Sequence, residues 1–116
     1  EGVMHLLEPD RSFTACHRLL KTRGFLVMHE TLEWFDATSE RIPEWGFTIR
    51  DRCPLPRHFW LTDYGAPLER RIQDFRAAHG DAAASPELTR YADEVAMIRE
   101  DPDRFDCGFF ILQRTD

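Results

Sequence analysis

Residues 21–31, KTRGFLVMHET, decide how the rest of the chain is read. A charged, turn-forming KTRG runs into four apolar residues, and the run stops at His29 and Glu30. Upstream, SFTACHRLLK (12–21) places Phe13, Cys16, Leu19 and Leu20 at helical spacing, which predicts one apolar helix face. Asp10 or Ser12 is placed to cap this helix, and Arg18 and Lys21 lie where cations favour its dipole. Gly24 supplies the flexible position that closes it. FLVM lacks polar alternation, the pattern of a strand buried on both faces in a helix-covered parallel sheet. Helix, turn and strand make half of a βαβ unit. In such sheets ligands meet the protein beyond the C-terminal strand ends, so His29, Glu30 and Thr31 are expected at the chemically useful edge.

Working outward, LEWFDATSERIPEW (32–45) is read as a loop or a short helix. Gly46 then opens FTIRD (47–51), whose alternation predicts a half-exposed strand ended by CPLP. A helix is expected from Tyr64 or Pro67 to His79, with Leu68, Ile72 and Phe75 inward. GDAAASPE (80–87) breaks the chain, and Ser85-Pro86 caps a helix reaching Glu100, with Leu88, Tyr91, Val95 and Ile98 on one side. GFFILQR (108–114) predicts a final, central strand. The order is α-β-(αα or loop)-β-α-α-β. Three strands, two of which need cover on both faces, leave the first one short of a neighbour.

The formal charge of -6 argues against a nucleic-acid partner, since Arg50, Arg52 and Arg57 form at most a local basic patch. Three widely separated cysteines, Cys16, Cys53 and Cys107, do not read as a disulfide framework and favour a reducing, cytoplasmic setting. No apolar run has membrane-spanning length, so no membrane partner is expected. The opening EGVMHLLEPD has no methionine start and enters apolar sequence at once, which reads as a cut inside a larger domain.

GVMHLLEPD, FTACHRLLKTRGFLVMHET, WGFTIRD and the terminal GFFILQR, in that order, resemble the C-terminal half of a class I S-adenosylmethionine-dependent methyltransferase. The likeness is sharpest over residues 1–31, 46–50 and the last strand. His5-Leu6 stands where that family has a histidine-leucine pair after the fourth strand. Leu20-Lys21-Thr22-Arg23-Gly24 stands for its leucine-lysine-proline-glycine-glycine turn, with Thr22 for the proline and Arg23 for the first glycine. The resemblance implies an α/β, Rossmann-like sheet with strands five, seven and six in the order 5-7-6, covered by helices and forming an incomplete domain over residues 1–116. The glycine-rich loop and the acidic residue that hold the cofactor in that family have no counterpart here. S-adenosylmethionine is therefore expected only in a complete domain, with the missing half or a companion chain supplying its cradle. This chain alone is expected to be inactive.

The resemblance puts His5 beside cofactor or substrate, with loop packing as the competing role. His29 and Glu30 are the candidate catalytic pair, one able to act as a base and the other to bind an amine or hydroxyl, against a role in strand-end hydrogen bonding. Trp34, His58, Trp60 and Tyr64 are candidates for a substrate wall, against plain core or rim packing. Met4 is read as packing, and His17 as facing solvent or the sheet edge. No zinc site is expected: Cys16-His17 and Cys53 with His58 lack close ligand pairing, and His29-Glu30 lacks a zincin's second histidine. The function so read is methyl transfer to a small molecule by the completed domain. Its alternative is a non-catalytic, acidic α/β interaction domain that completes its sheet with a partner, or with a second copy through the exposed edge.

Overall fold

The computed structural model describes residues 3–80 and 84–116, which divide into two compact units. The first comprises Glu1–Leu55 and Cys107–Asp116, and the second Pro56–Asp106.

The first unit begins with a 3-10 turn, Met4–Leu6, followed by α1 (Pro9–Leu19), β1 (Phe25–Thr31) and α2 (Leu32–Thr38). A 3-10 segment (Ser39–Trp45) leads to β2 (Phe47–Pro54), and β3 (Cys107–Arg114) completes the unit. The sheet order is β1-β3-β2, with β3 antiparallel to both neighbours, so the last strand in sequence is the middle one in space. The result is a small α/β unit with helices over its sheet.

Local chemistry sets the ends of these elements, not always as the sequence suggests. Glu8, rather than Asp10 or Ser12, caps α1: its carboxylate accepts from the Asp10 and Arg11 amides, and Pro9 takes the first helical position. Asp10 instead accepts from the Trp45 indole at 2.8 Å and from Arg41 at 2.6 Å. Phe13 is fully buried and Cys16 and Leu20 pack beside it, but Leu19 is 81% exposed. Six residues beyond Phe13, Leu19 has turned about 240° around the axis and left the apolar face. The turn into β1 puts Arg23, not Gly24, in the left-handed region at φ 59°.

Residues 32–45 are helical throughout, and Gly46 at φ 80° ends them. A Cβ on Gly46 would lie 2.6 Å from the His17 ring. His17 accordingly meets Phe47, the first residue of the outer strand β2, edge-on at 5.6 Å and pairs with Asp116 at 2.9 Å, so of the two expected places it takes the sheet edge. β2 runs on through Cys53 to Pro54; as an outer strand it tolerates proline at its end.

The core lies on one face of the sheet. Met28, Phe110, Leu112 and Phe47 meet Phe13, Phe35, Ile42 and Trp45 from the helical layer. Phe13 stacks on Trp45 at 4.5 Å, and Phe35 on Phe110 at 3.7 Å. The expected burial of FLVM and FFIL on both faces does not occur. Phe25 is 56%, Val27 59% and Phe109 40% exposed, because α1, α2 and the 3-10 segment all pack on the other side.

In β3, Gly108 is set by contact with β2. A Cβ there would stand 2.8 Å from the Cys53 carbonyl oxygen and 2.9 Å from the Pro54 Cα, both backbone atoms that cannot rotate away. Gly108→Ala is expected to cost about 1–3 kcal/mol through forced strand separation. Hydrogen exchange should quicken at the Leu55 amide, which donates to the Cys107 carbonyl at 2.9 Å. Gly65→Ala, whose Cβ meets only ordinary contacts from 3.5 Å, is the control and should leave stability within about 0.5 kcal/mol.

The second unit holds a π-helical turn (Trp60–Gly65), α3 (Ala66–His79), α4 (Pro86–Glu100) and a 3-10 turn (Pro102–Phe105). Ser85 caps α4 as expected, accepting from the Leu88 amide at 3.1 Å. Ile72, Val95 and Ile98 are buried, whereas Phe75 is 46% exposed and lies against His79. Tyr91 is likewise exposed. Of the break at 80–87, residues 81–83 lie outside the described residues.

Candidate functional site

The C-terminal end of β1 carries the chemistry, and the strand's own geometry sorts it. Successive side chains point to opposite faces, so His29 and Glu30 cannot act side by side. His29 lies on the exposed face, its ring 5.0 Å from that of Phe109 across the ladder. Glu30 shares the Met28 face and is buried, at 2% exposure. Thr31 turns the chain, its hydroxyl oxygen accepting from the Trp34 amide at 3.1 Å to cap α2.

Glu30 reaches the first turn of the chain. One carboxylate oxygen accepts from the Met4 amide at 2.6 Å, and the other lies 3.0 Å from His5 Nδ1. An ionised carboxylate only accepts, so Nδ1 carries the proton and donates it. In the neutral ring that leaves the lone pair on Nε2. The His5 side chain is 44% exposed and that of Glu30 only 1%. The pair is thus an accessible imidazole whose tautomer and orientation are fixed by a buried carboxylate. Such an arrangement can accept a proton from a bound hydroxyl or ammonium group.

The remaining candidates separate. Trp34 stacks on Phe13 at 6.4 Å and packs against the core. Met4 packs there too, as expected. His58, Trp60 and Tyr64 belong to the second unit. His58 takes a left-handed backbone, φ 60°; its amide donates to Asp106 and its Nε2 lies 2.6 Å from Asp103. Trp60 and Tyr64, one turn apart, have ring centroids 4.8 Å apart. Burial, then the Glu94 carboxylate, pushes the Tyr64 hydroxyl above its ordinary pKa.

Asp103 accepts from both His58 and Arg57, and those hydrogen bonds, His58's first, hold its carboxyl below the ordinary aspartate range. A depressed carboxylate pKa stabilises the fold above the unfolded value, and this is lost as pH falls through the folded value. Acid should therefore loosen the segment around His58. Asp103→Asn is expected to flatten the acid limb of the unfolding profile followed by Trp60 fluorescence, leaving the neutral limb parallel.

A cradle for a nucleotide-type cofactor needs glycines whose missing side chains leave room for it. Gly24, Gly46 and Gly108 face the Lys21 carbonyl, the His17 ring and the Cys53 carbonyl, so protein atoms already occupy their near space. Gly65 sits beside Leu61 and Ile98, and Gly80 stands alone at a helix end. The described residues thus do not form a glycine-lined cofactor cradle. Nor do they hold a group of three or more His, Cys, Asp or Glu side chains placed for a metal ion. No helix among them is long and apolar enough to cross a membrane.

Sequence reasoning missed the Glu30–His5 link, although period-two alternation already separates Glu30 from His29. No protein-family model matches the chain, and no curated protein does. Among solved structures, the chain is similar to phospholethanolamine N-methyltransferase 2 of Haemonchus contortus, in complex with phosphomonomethylethanolamine and S-adenosylhomocysteine. The identity is 14% and the TM-score 0.51, over 97% of this chain and 31% of that one. The chain therefore spans about a third of that structure's length, and has a distant, partial likeness to its fold.

Proposed function

We propose that the chain is the C-terminal portion of a class I S-adenosylmethionine-dependent methyltransferase, with β1, β3 and β2 as its strands five, seven and six. The completed domain transfers a methyl group to a small-molecule acceptor. The observation that carries this reading is the sheet itself: two strands related in parallel with the last strand inserted antiparallel between them. Position adds support, because the His5–Glu30 pair sits at the C-terminal end of β1, where open α/β sheets bind ligands.

The cofactor would supply an activated methyl group and would be held by residues outside those described. This chain contributes acceptor handling. His5 Nε2 takes the proton that an oxygen or nitrogen nucleophile must lose, and Glu30 keeps the ring turned for it. The solved relative holds a phosphorylated amine, which makes a small polar amine the first acceptor class to test.

Calorimetric titration of the full-length polypeptide with S-adenosylhomocysteine tests the reading. Saturable binding is expected, with none for residues 1–116 in isolation. Absence of binding by the full-length polypeptide would defeat it. The second reading, a non-catalytic interaction domain, draws on the exposed Phe25, Val27 and Phe109. Stable monomeric folding of residues 1–116, with no cofactor binding by the full-length polypeptide, would favour it.

A further inference from the structure

At the opposite end of the strands from His5 and Glu30, a cavity of about 130 Å³ is lined by Arg23, Thr48, Arg50, Gln113, Arg114 and Thr115. Two arginines, Arg23 and Arg50, line it in a chain of net charge -6, while the Arg114 side chain turns to the other face of the sheet, toward the end of α1.

The groups are held in place rather than merely adjacent. Gln113 is buried, and its amide joins two of the arginine positions. Its Nε2 donates to the Arg23 carbonyl at 2.8 Å, and its Oε1 accepts from Arg50 Nε at 2.8 Å. Arg50 is thereby oriented by one edge, leaving its terminal nitrogens for the cavity. Arg114 is anchored on the other face by the His17 and Leu20 carbonyls through Nη1 and by Asp116 through Nε, so its guanidinium is committed away from Arg50 and Gln113. The Arg23 guanidinium makes no hydrogen bond or ion pair among the described residues. Arg23 also occupies a left-handed backbone, φ 59°, that glycine would fill without cost.

We propose that this cavity is a binding site for a phosphate group, free or as a small monoester, independent of the methyl-transfer site. Guanidinium donors suit tetrahedral oxyanions, and the Thr48 hydroxyl adds a neutral donor at the rim. Thr115 contributes no donor, since its hydroxyl proton goes to the Gly46 carbonyl at 3.0 Å. The volume admits a phosphate but not a nucleotide. A neighbouring carboxylate, Asp116, is engaged by Arg114 and His17, so it does not fill the cavity's role as counter-ion for Arg23 and Arg50.

The test is a titration of the full-length polypeptide with inorganic phosphate, methyl phosphate and acetate in turn, at constant ionic strength, followed by amide NMR shifts. Saturable shifts at Arg23, Thr48, Arg50 and Gln113 are expected with either phosphate probe and not with acetate. Tighter binding of methyl phosphate would identify an organic monoester as the source, and equal or weaker binding free phosphate. Arg23→Gly should weaken phosphate binding about tenfold or more. Glycine suits the backbone at this position, so loss through misfolding is not expected. Arg50→Gln, away from that turn, should do the same. Unchanged affinity in both variants, equal shifts with acetate, or no saturable shifts would each overturn the proposal.

Discussion

His5→Ala is expected to lower methyl transfer by the completed domain about 10²–10⁴-fold, the usual contribution of a positioned general base, while S-adenosylhomocysteine affinity stays within about twofold. The reasoning starts from Glu30, whose side chain is 1% exposed and accepts from both the Met4 amide and His5 Nδ1. With Nδ1 committed as donor, Nε2 is the ring's free base, and alanine removes it. Glu30→Gln should act more weakly, because the amide keeps the shape and only the preference for the productive tautomer is lost. Its signature would be a lowered kcat with the cofactor affinity preserved. His29→Ala is the control: its ring lies on the other face against Phe109, so it should affect transfer less than His5→Ala. Equal loss from the His5 and His29 variants, or parallel loss of transfer and cofactor binding in His5→Ala, would count against this assignment.

Phe110→Ala should destabilise the sheet unit by about 3–5 kcal/mol, the range for deleting a buried aromatic ring. Phe110 is fully buried in the central strand, between Met28 of β1 and Arg52 of β2. Its ring stacks on Phe35 at 3.7 Å, with Arg52 over both rings at 5.8 and 5.3 Å. Removing it empties the seam between sheet and helical layer, and no neighbouring strand can shift without losing ladder bonds. Against a typical domain stability of about 5–15 kcal/mol, a loss of this size leaves little reserve. Urea unfolding followed by Trp34 and Trp45 fluorescence would report it as a lower midpoint with an unchanged slope. Phe109→Ala removes an equally large ring one residue away, from a side chain that is 40% exposed, and should cost about 1 kcal/mol or less. Similar midpoints for the two variants would contradict the one-sided core.

The two outcomes bear on what a sequence can reveal. Element order was legible because it rests on local signals: Ser85-Pro86 before α4, Gly46 before β2, and the apolar runs of β1 and β3. The central place of β3 was read from its continuous apolar run, and its insertion between the other two strands from the family resemblance. Burial on both faces was over-read, since a run such as Phe25–Met28 is apolar whether or not its second face is covered. At the site, His5 and Glu30 were each singled out but not paired, because their contact spans 25 positions. The bridge from Gln113 to Arg23 spans 90 and leaves no pattern in the sequence. Arg23 itself was assigned to an ordinary turn, since arginine gives no local hint of a left-handed backbone.

The inserted position of β3 also has a bearing on the order of synthesis. β1 and β2 do not pair with each other; each pairs only with the strand made last among the three. On a nascent chain both strands must wait for their ladder partner, although Phe13 of α1 can already meet Trp34, Trp45 and Phe47, while the whole of Pro56–Asp106 is translated. That intervening unit carries its own buried residues and can gather first. The sheet then closes around a long loop in a single late step, and until residues 107–114 arrive its unpaired edges are open to chaperones or to wrong partners.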